Sequence, residues 1–431
     1  PAGAELGVYM MLEYGLSRSI EALGPLMAKG EIPWGIVIGM GAGRDWNPEG
    51  TAHCGMRCEE FDQVGTEFPN AIIEEIIPDA ARRLGVKVTD KADCHFITGG
   101  SSGGLASWNA CWFRNDYFRR AFLSSPTFSA MRGGNTLMPL IRKCEARPIR
   151  VWMTVGTDEP DYFFGDSYHV AMDALSAMRF AGYEIRFERI EGGGHCAKYW
   201  DREYFQKAMR WIFEDWKTKP VTTVTHPIRV RDLIVKGTSW KESPHVMKAP
   251  VRTVIDGWIE YSVSPENRFI SAKHLAKDGT RTPAPNHAPL ELAWNVSEPG
   301  GKAIALMPCG RVLVATGLGV QSAIKWGMVD AILPLPGDVP CDNVELEGHT
   351  LYASSCGRVW ERPLNPDATS PGYSDDFWYG RHHSPAGSMA ELLGSYVTAG
   401  RIAGVVSVLS DHDYKVQMDC AGWAKRGVGR E

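Results

Sequence analysis

The chain has 431 residues, 44% hydrophobic and 23% charged, the balance of a globular protein of two or three domains. A net charge of −5 with no basic tract argues against a nucleic-acid partner. No run of about 18 uncharged apolar residues occurs, so no membrane span is expected. The ten cysteines are scattered, with no second zinc-spaced pair after Cys54 and Cys58, and read as buried thiols rather than a disulfide framework.

Residues 1–217 alternate strand-like and helical patterns. Residues 8–12 and 35–40 are short apolar runs with the character of buried strands. Residues 68–84 predict a helix, with Ile72, Ile73, Ile76 and Ile77 on one side and Glu74 and Glu75 on the other. A strand at 94–98 is followed by glycines and a helix at 105–113. Strands at 121–123 and 149–155, a helix at 168–181, a strand at 185–190 and an amphipathic helix at 204–216 complete the segment. Such alternation implies a parallel sheet covered on both faces.

Residues 217–227 lack large apolar side chains and read as a linker. Beyond it, short strands (252–259, 311–315, 350–354) alternate with Gly/Pro turns, predicting an all-β segment over 228–365. A polar stretch over 365–388 precedes a small α+β fragment over 389–431, with a helix at 389–399 and strands at 403–410 and 415–420.

The strongest local signal is Thr98-Gly99-Gly100-Ser101-Ser102-Gly103-Gly104-Leu105, between a strand and a helix. A G-x-S-x-G elbow needs that context, because its serine sits on a sharp turn with small neighbours two residues to either side. Frames centred on Ser101 and on Ser102 both fit. Ser101 is preferred, since a second glycine directly after the motif lets the helix pack close to the strand. A Gly/Ser loop without chemistry is the alternative.

A serine hydroxyl needs a neighbouring base. In a parallel-sheet hydrolase the order is Ser, acid, His. His169 falls within a helical pattern. His195 follows Glu191-Gly192-Gly193-Gly194, a loop between a strand and the last helix, and is the expected base. The acid should follow the strand at 149–155, where Asp158, Glu159 and Asp161 stand close together and spacing does not choose among them. Of two oxyanion-hole N–H groups, one is expected from Ser102 and the other from the loop after the first strand, at Gly15 or Leu16.

These residues resemble the enterochelin-esterase/esterase D family, which includes feruloyl esterases. The matching stretches are MAKGEIPWGIVIG (27–39), MRCEEFD, ITGGSSGGLASWNACW followed by FRRAFLSSPTF, RPIRVWMTVGTDEPD and EGGGHC. The resemblance implies an α/β-hydrolase sandwich with a mostly parallel sheet, and a serine esterase acting without cofactor on small-molecule or carbohydrate esters, such as those of sugars or aromatic acids. It implies Ser101 as nucleophile. It also points to Glu159, in a position where Asp is more usual, with Asp158 and Asp161 as substitutes. It further implies strands upstream of Pro1 and a bacterial periplasmic or secreted location.

Residues 300–364 resemble part of a gluconolactonase/SMP-30 propeller, through GRVLVATGLGVQ, DAILPLPG and HTLYASSCGRVWERPL. That implies a partial propeller-like segment of about three blades. Its family's metal site expects an acidic residue where Gly301-Lys302-Ala303 stands. Asp342 and Asn343 read as turn residues, so no metal site is expected. Residues 396–424 resemble the start of a serine β-lactamase-like domain, without its Ser-x-x-Lys motif; Ser322 and Lys325 match that pattern by chance in the β segment. Two other readings stand beside the esterase: a metal-dependent lactonase using the β segment, and a carbohydrate-binding protein without catalysis.

Overall fold

The computed structural model describes residues 5–13, 15–51, 53–199, 201–283, 290–292, 300–324, 328–368, 404–410 and 416–422. The chain divides into two compact units between Ser370 and Pro371.

The first unit is built on six parallel strands: β1 (Gly7–Leu12), β2 (Gly35–Met40), β3 (His95–Gly100), β4 (Arg120–Ser124), β5 (Arg150–Gly156) and β6 (Glu184–Ile190). Their order is β6-β5-β4-β3-β1-β2. Strands β1, β3, β4 and β5 are buried along their whole length, which is why they read as near-continuous apolar runs. Side chains alternate between faces. Tyr9, Met11, Phe96, Phe122 and Trp152 pack with α1 (Leu16–Ala28) and α5 (Arg202–Ile212). Val8, Met10, Ile97, Leu123 and Val151 belong to the core that contains α2 (Ser102–Phe113), α3 (Leu137–Lys143) and α4 (Ser167–Ala181). This is an α/β-hydrolase-like architecture.

From β1 the chain steps to β2 on one side, then returns to β3 on the other. The order reverses there, and such a switch point opens a crevice at the carboxyl ends of the strands. The loops after β1, β3, β5 and β6 all leave from that edge.

The helical run expected over 68–84 spans Glu67–Ala71, a π turn at Ile72–Ile76, and Ile77–Leu84. Pro78 has no N–H to continue the ordinary ladder, and Ile77 N–H bonds Ile72 five residues back. Ile72, Ile73 and Ile77 are buried as expected. Helix α1 was not anticipated, because Gly24 and Pro25 interrupt its pattern. The expected linker is pinned down rather than free. Val221 N–H bonds Asp93, Thr223 Oγ1 bonds the Arg147 carbonyl, and His226 N–H bonds the Ala181 carbonyl.

After the helix Ile228–Leu233, a short element that the all-β expectation omitted, the described residues form antiparallel sheets. One joins Thr253–Asp256, Ile259–Ser264, Asn267–Leu275, Arg281–Pro283 and Leu290–Glu291. A second is the meander Ala303–Leu306, Val312–Thr316, Gly319–Ala323 and Val329–Leu333. The third joins Lys241–Glu242, Arg358–Pro363, Thr350–Ser355 and Asn343–Glu347. The strand expected over 252–259 is two strands that pair with each other through a turn at Gly257.

In the second unit, Gly404–Ser410 pairs antiparallel with Val416–Gly422. The helix expected at 389–399 lies outside the described residues.

Candidate active site

Strand β3 ends at Gly100 and α2 begins at Ser102, so one residue makes the turn. Ser101 takes φ 57° and ψ −124°, a region that non-glycine residues rarely occupy. Its N–H donates to the Ser124 carbonyl at 2.9 Å, and its carbonyl accepts the Thr127 and Gly104 N–H groups. The turn is tight enough that a Cβ on Gly99 would lie 2.2 Å from the Gly103 carbonyl carbon. The two glycines that touch are those of the Ser101 frame. Ser101 Oγ lies 3.3 Å from Thr127 Oγ1. Among the described residues no hydrogen bond joins it to His195. Ser102 is helical and buried, and its Oγ accepts from Arg57 Nη1 at 2.5 Å. Its own N–H, in the first turn of α2, meets no carbonyl among the described residues.

The loops after β5 and β6 are closed against each other. Asp158 N–H bonds the Gly193 carbonyl and Gly192 N–H bonds Thr157 Oγ1. A Cβ on Gly156 would sit 2.0 Å from the Gly193 oxygen, so only glycine permits this approach. The closure sets Glu159 Oε2 2.6 Å from His195 Nδ1. The Glu159 side chain is fully enclosed. Its other oxygen accepts from Ser125 Oγ and, at 3.2 Å, from the Gly156 N–H. Burial alone raises the Glu159 pKa; the bonds from His195, Ser125 and Gly156 outweigh it and hold the carboxylate below its usual range. His195 is raised to about 10, first by its hydrogen bond with the Cys196 thiol and then by that with Glu159, against the effect of burial. Asp158 and Asp161 are exposed and make no hydrogen bond to His195 among the described residues.

Sequence reasoning gave no role to Ser125, Thr127, Cys196 or Arg57. Ser125, at φ 45°, donates to Glu159 and accepts the Cys196 N–H at 2.9 Å. Cys196 Sγ donates to the Ser124 carbonyl at 3.7 Å, the same oxygen that holds the Ser101 N–H. One carbonyl therefore ties the histidine loop to the elbow. The stretch FLSSPTF had carried the family resemblance, and this pairing is what its two serines do. Arg57 is clamped by both oxygens of Glu13, at 2.7 and 2.9 Å. Beside it Asp62 is buried, and neither of its oxygens has a hydrogen-bond partner among the described residues. Burial raises the Asp62 pKa more than Ser102 and Arg57 lower it.

The loop after β1 adjoins the elbow: a Cβ on Gly103 would lie 3.5 Å from Leu12 Cβ. The Glu13 N–H is engaged by the Met40 carbonyl. Gly15 caps α1 and its carbonyl accepts from Ser19, while Leu16 opens that helix on an exposed face. Tyr14 lies outside the described residues. His169 sits at the start of α4, exposed and paired with Asp166 at 2.9 Å.

In the β segment, Lys302 Nζ pairs with Asp342 at 3.1 Å, and Asn343 donates to the Lys248 carbonyl. Both residues weighed as metal ligands are thus committed to protein partners. One unanticipated group, His245, Glu345 and Glu347, brings its ligand atoms within 4.8 Å of one another. Lys248 bonds both carboxylates, through its N–H and its ammonium. Ser322 is buried and accepts from Arg311; Lys325 lies outside the described residues.

No family model and no curated protein matches the chain. Solved structures do. The enterochelin esterase of Shigella flexneri aligns at 17% identity over 50% of this chain and 52% of its own, with a TM-score of 0.38. A ferulic acid esterase aligns at 18% over 49% of this chain and 86% of its own, with a TM-score of 0.38. The siderophore hydrolase EstB of Aspergillus nidulans aligns at 20% over 52% and 87%, with a TM-score of 0.37. The chain thus spans about half the length of the enterochelin esterase it resembles.

Proposed function

We propose that the chain is a serine carboxylic ester hydrolase with Ser101 as nucleophile, His195 as general base and Glu159 as the residue that orients it. The observation that carries this reading is the 2.6 Å contact between His195 Nδ1 and Glu159, at the strand edge where Ser101 occupies its strained turn.

In this reading Glu159 holds the Nδ1–H tautomer, so Nε2 is the basic nitrogen. Ser101 Oγ turns away from Thr127 and attacks the ester carbonyl while His195 takes its proton. The Ser102 N–H, in the first turn of α2, faces the developing oxyanion. His195 returns the proton to the departing alkoxide, and water then releases the acyl group by the same route. The hairpin after Glu159 presents Tyr162 and Phe163 to solvent, with Phe164 stacked on Tyr162 at 4.8 Å. Such a rim suits the aromatic acid or sugar esters expected from sequence.

A fluorophosphonate label followed by peptide mass mapping tests the proposal. The expected result is one adduct, on Ser101, absent from Ser101→Ala. A folded chain that takes no label, or takes it elsewhere, overturns the reading.

A further inference from the structure

Away from the elbow lies a cavity of about 220 Å³, where the far end of α2, the start of the helical run at Glu67 and α3 meet the second antiparallel sheet. Helix α2 runs from Ser102 to Phe113, so the cavity at Trp112 is about 15 Å from the elbow at about 1.5 Å per residue. The surrounding interface is well tied. Cys144, at the end of α3, bridges to Ile332, and Arg362 bonds both oxygens of Glu145, at 2.5 and 2.8 Å.

The apolar walls include Trp112, Leu140 and Leu318; the charged groups on the wall are Glu67, Arg147 and Asp338. Arg147 lies over the Trp112 ring at 3.6 Å and bonds one oxygen of Asp338 through Nη2, while its Nη1 is buried without a hydrogen-bond partner among the described residues. The other oxygen of Asp338 has no hydrogen-bond partner among the described residues. Burial pushes Asp338 up to about 6, so it is still ionised at neutral pH. Glu67 is exposed and forms part of the rim. Arg114, the next cation, is already paired with Asp116 and Glu74. Two carboxylates against one guanidinium leave the wall with one negative charge in excess.

We propose that this cavity binds a small monocationic amine with an apolar body. Its ammonium bonds the free oxygen of Asp338 and balances the excess charge, and its hydrocarbon fills the space beside Trp112, Leu140 and Leu318. The size is suitable, since a cavity of about 150 Å³ holds a benzene ring. A carboxylate ligand would meet Asp338 and Glu67 as like charges, and a neutral alcohol would leave the excess charge unmatched.

The test is calorimetric titration of the full chain at pH 7.5 with 2-phenylethylammonium, 2-phenylethanol and 3-phenylpropionate. The amine is expected to bind one site at least about tenfold more tightly than the alcohol, with no binding by the carboxylate. Leu318→Trp should fill the cavity and abolish amine binding while ester hydrolysis is unchanged. Glu67→Gln, at an exposed position, should weaken the amine severalfold. No amine binding up to about 10 mM overturns the proposal, as does equal binding of amine and alcohol, or unchanged amine binding in Glu67→Gln or in folded Leu318→Trp.

Discussion

Glu159 Oε2 stands 2.6 Å from His195 Nδ1, and the glutamate side chain has no exposed surface. A carboxylate so enclosed, with its other oxygen held by Ser125 and the Gly156 N–H, has one orientation to offer the imidazole. Glu159→Gln keeps the shape and removes the charge. It should lower kcat by up to about 10⁴-fold, the scale of a tautomer defect. Asp158→Asn and Asp161→Asn, on exposed side chains, should stay within a few-fold of the parent. Steady-state rates on a short p-nitrophenyl ester decide the matter; a crippled Asp161→Asn beside an active Glu159→Gln would give the role to the other carboxylate.

The elbow makes a separate prediction. Ser101→Ala should abolish hydrolysis of the same ester. Ser102→Ala removes a hydroxyl that holds Arg57 at 2.5 Å but keeps the backbone N–H, so measurable activity should remain. A dead Ser102→Ala with a live Ser101→Ala would move the nucleophile by one residue.

Legibility followed the range of the interactions. The turn at Ser101 is local: strand, sharp corner and helix demand small residues, and the glycines of GGSSGG state that in the sequence. The position of His195 in a loop between strand and helix was readable for a similar reason, from the three glycines before it. The choice among Asp158, Glu159 and Asp161 was not local. It depends on Gly156 meeting the Gly193 carbonyl, an approach between two strands that are neighbours in the sheet and distant in the chain. Ser125 was less readable still, since it joins Glu159, 34 positions on, to Cys196, 71 positions on. Helix α1 was hidden by Gly24 and Pro25, whose propensity cost is overcome by packing of Leu23 and Leu26 on the sheet.

Ser125 acts through other residues, so its loss should have a positioning signature. Ser125→Ala leaves Glu159 Oε1 with the Gly156 N–H alone and removes the acceptor of the Cys196 N–H. The expected outcome is a kcat lower by about ten- to a hundredfold, about 1.4–2.7 kcal/mol of barrier, with KM nearly unchanged. A merely structural role would instead lower thermal stability and leave kcat of the folded fraction intact.

Metal removal should leave ester hydrolysis unaffected. The proposed route uses Ser101, His195, Glu159 and backbone donors, while the group His245, Glu345 and Glu347 belongs to the β segment. Dialysis against EDTA should change the rate by less than about twofold. Strong loss restored by Ca²⁺ or Zn²⁺ would favour a metal-dependent lactonase instead.

The pH dependence follows from His195. A general base must be neutral, and His195 is raised to about 10 by Cys196 and Glu159. In the free enzyme, kcat/KM should therefore climb with pH on a limb displaced well to the alkaline side of 6.5, as the imidazolium loses its proton. Stability runs the other way. The unfolded histidine titrates near 6.5, so the folded pair stabilises the protein fully below that pH. The contribution is then lost as pH rises through about 10. The first cause of the shift is the Cys196 thiol, which Cys196→Ala removes, leaving Glu159 in place. The space permits the change, since Cys196 packs against Gly100 and alanine is smaller. The limb should then move toward neutrality by about one pH unit or more while staying above 6.5, and the variant should outpace the parent at pH 7. Profiles of kcat/KM from pH 6 to 11 for both proteins measure this directly. An unmoved limb in Cys196→Ala would mean that Glu159 alone sets the basicity of His195.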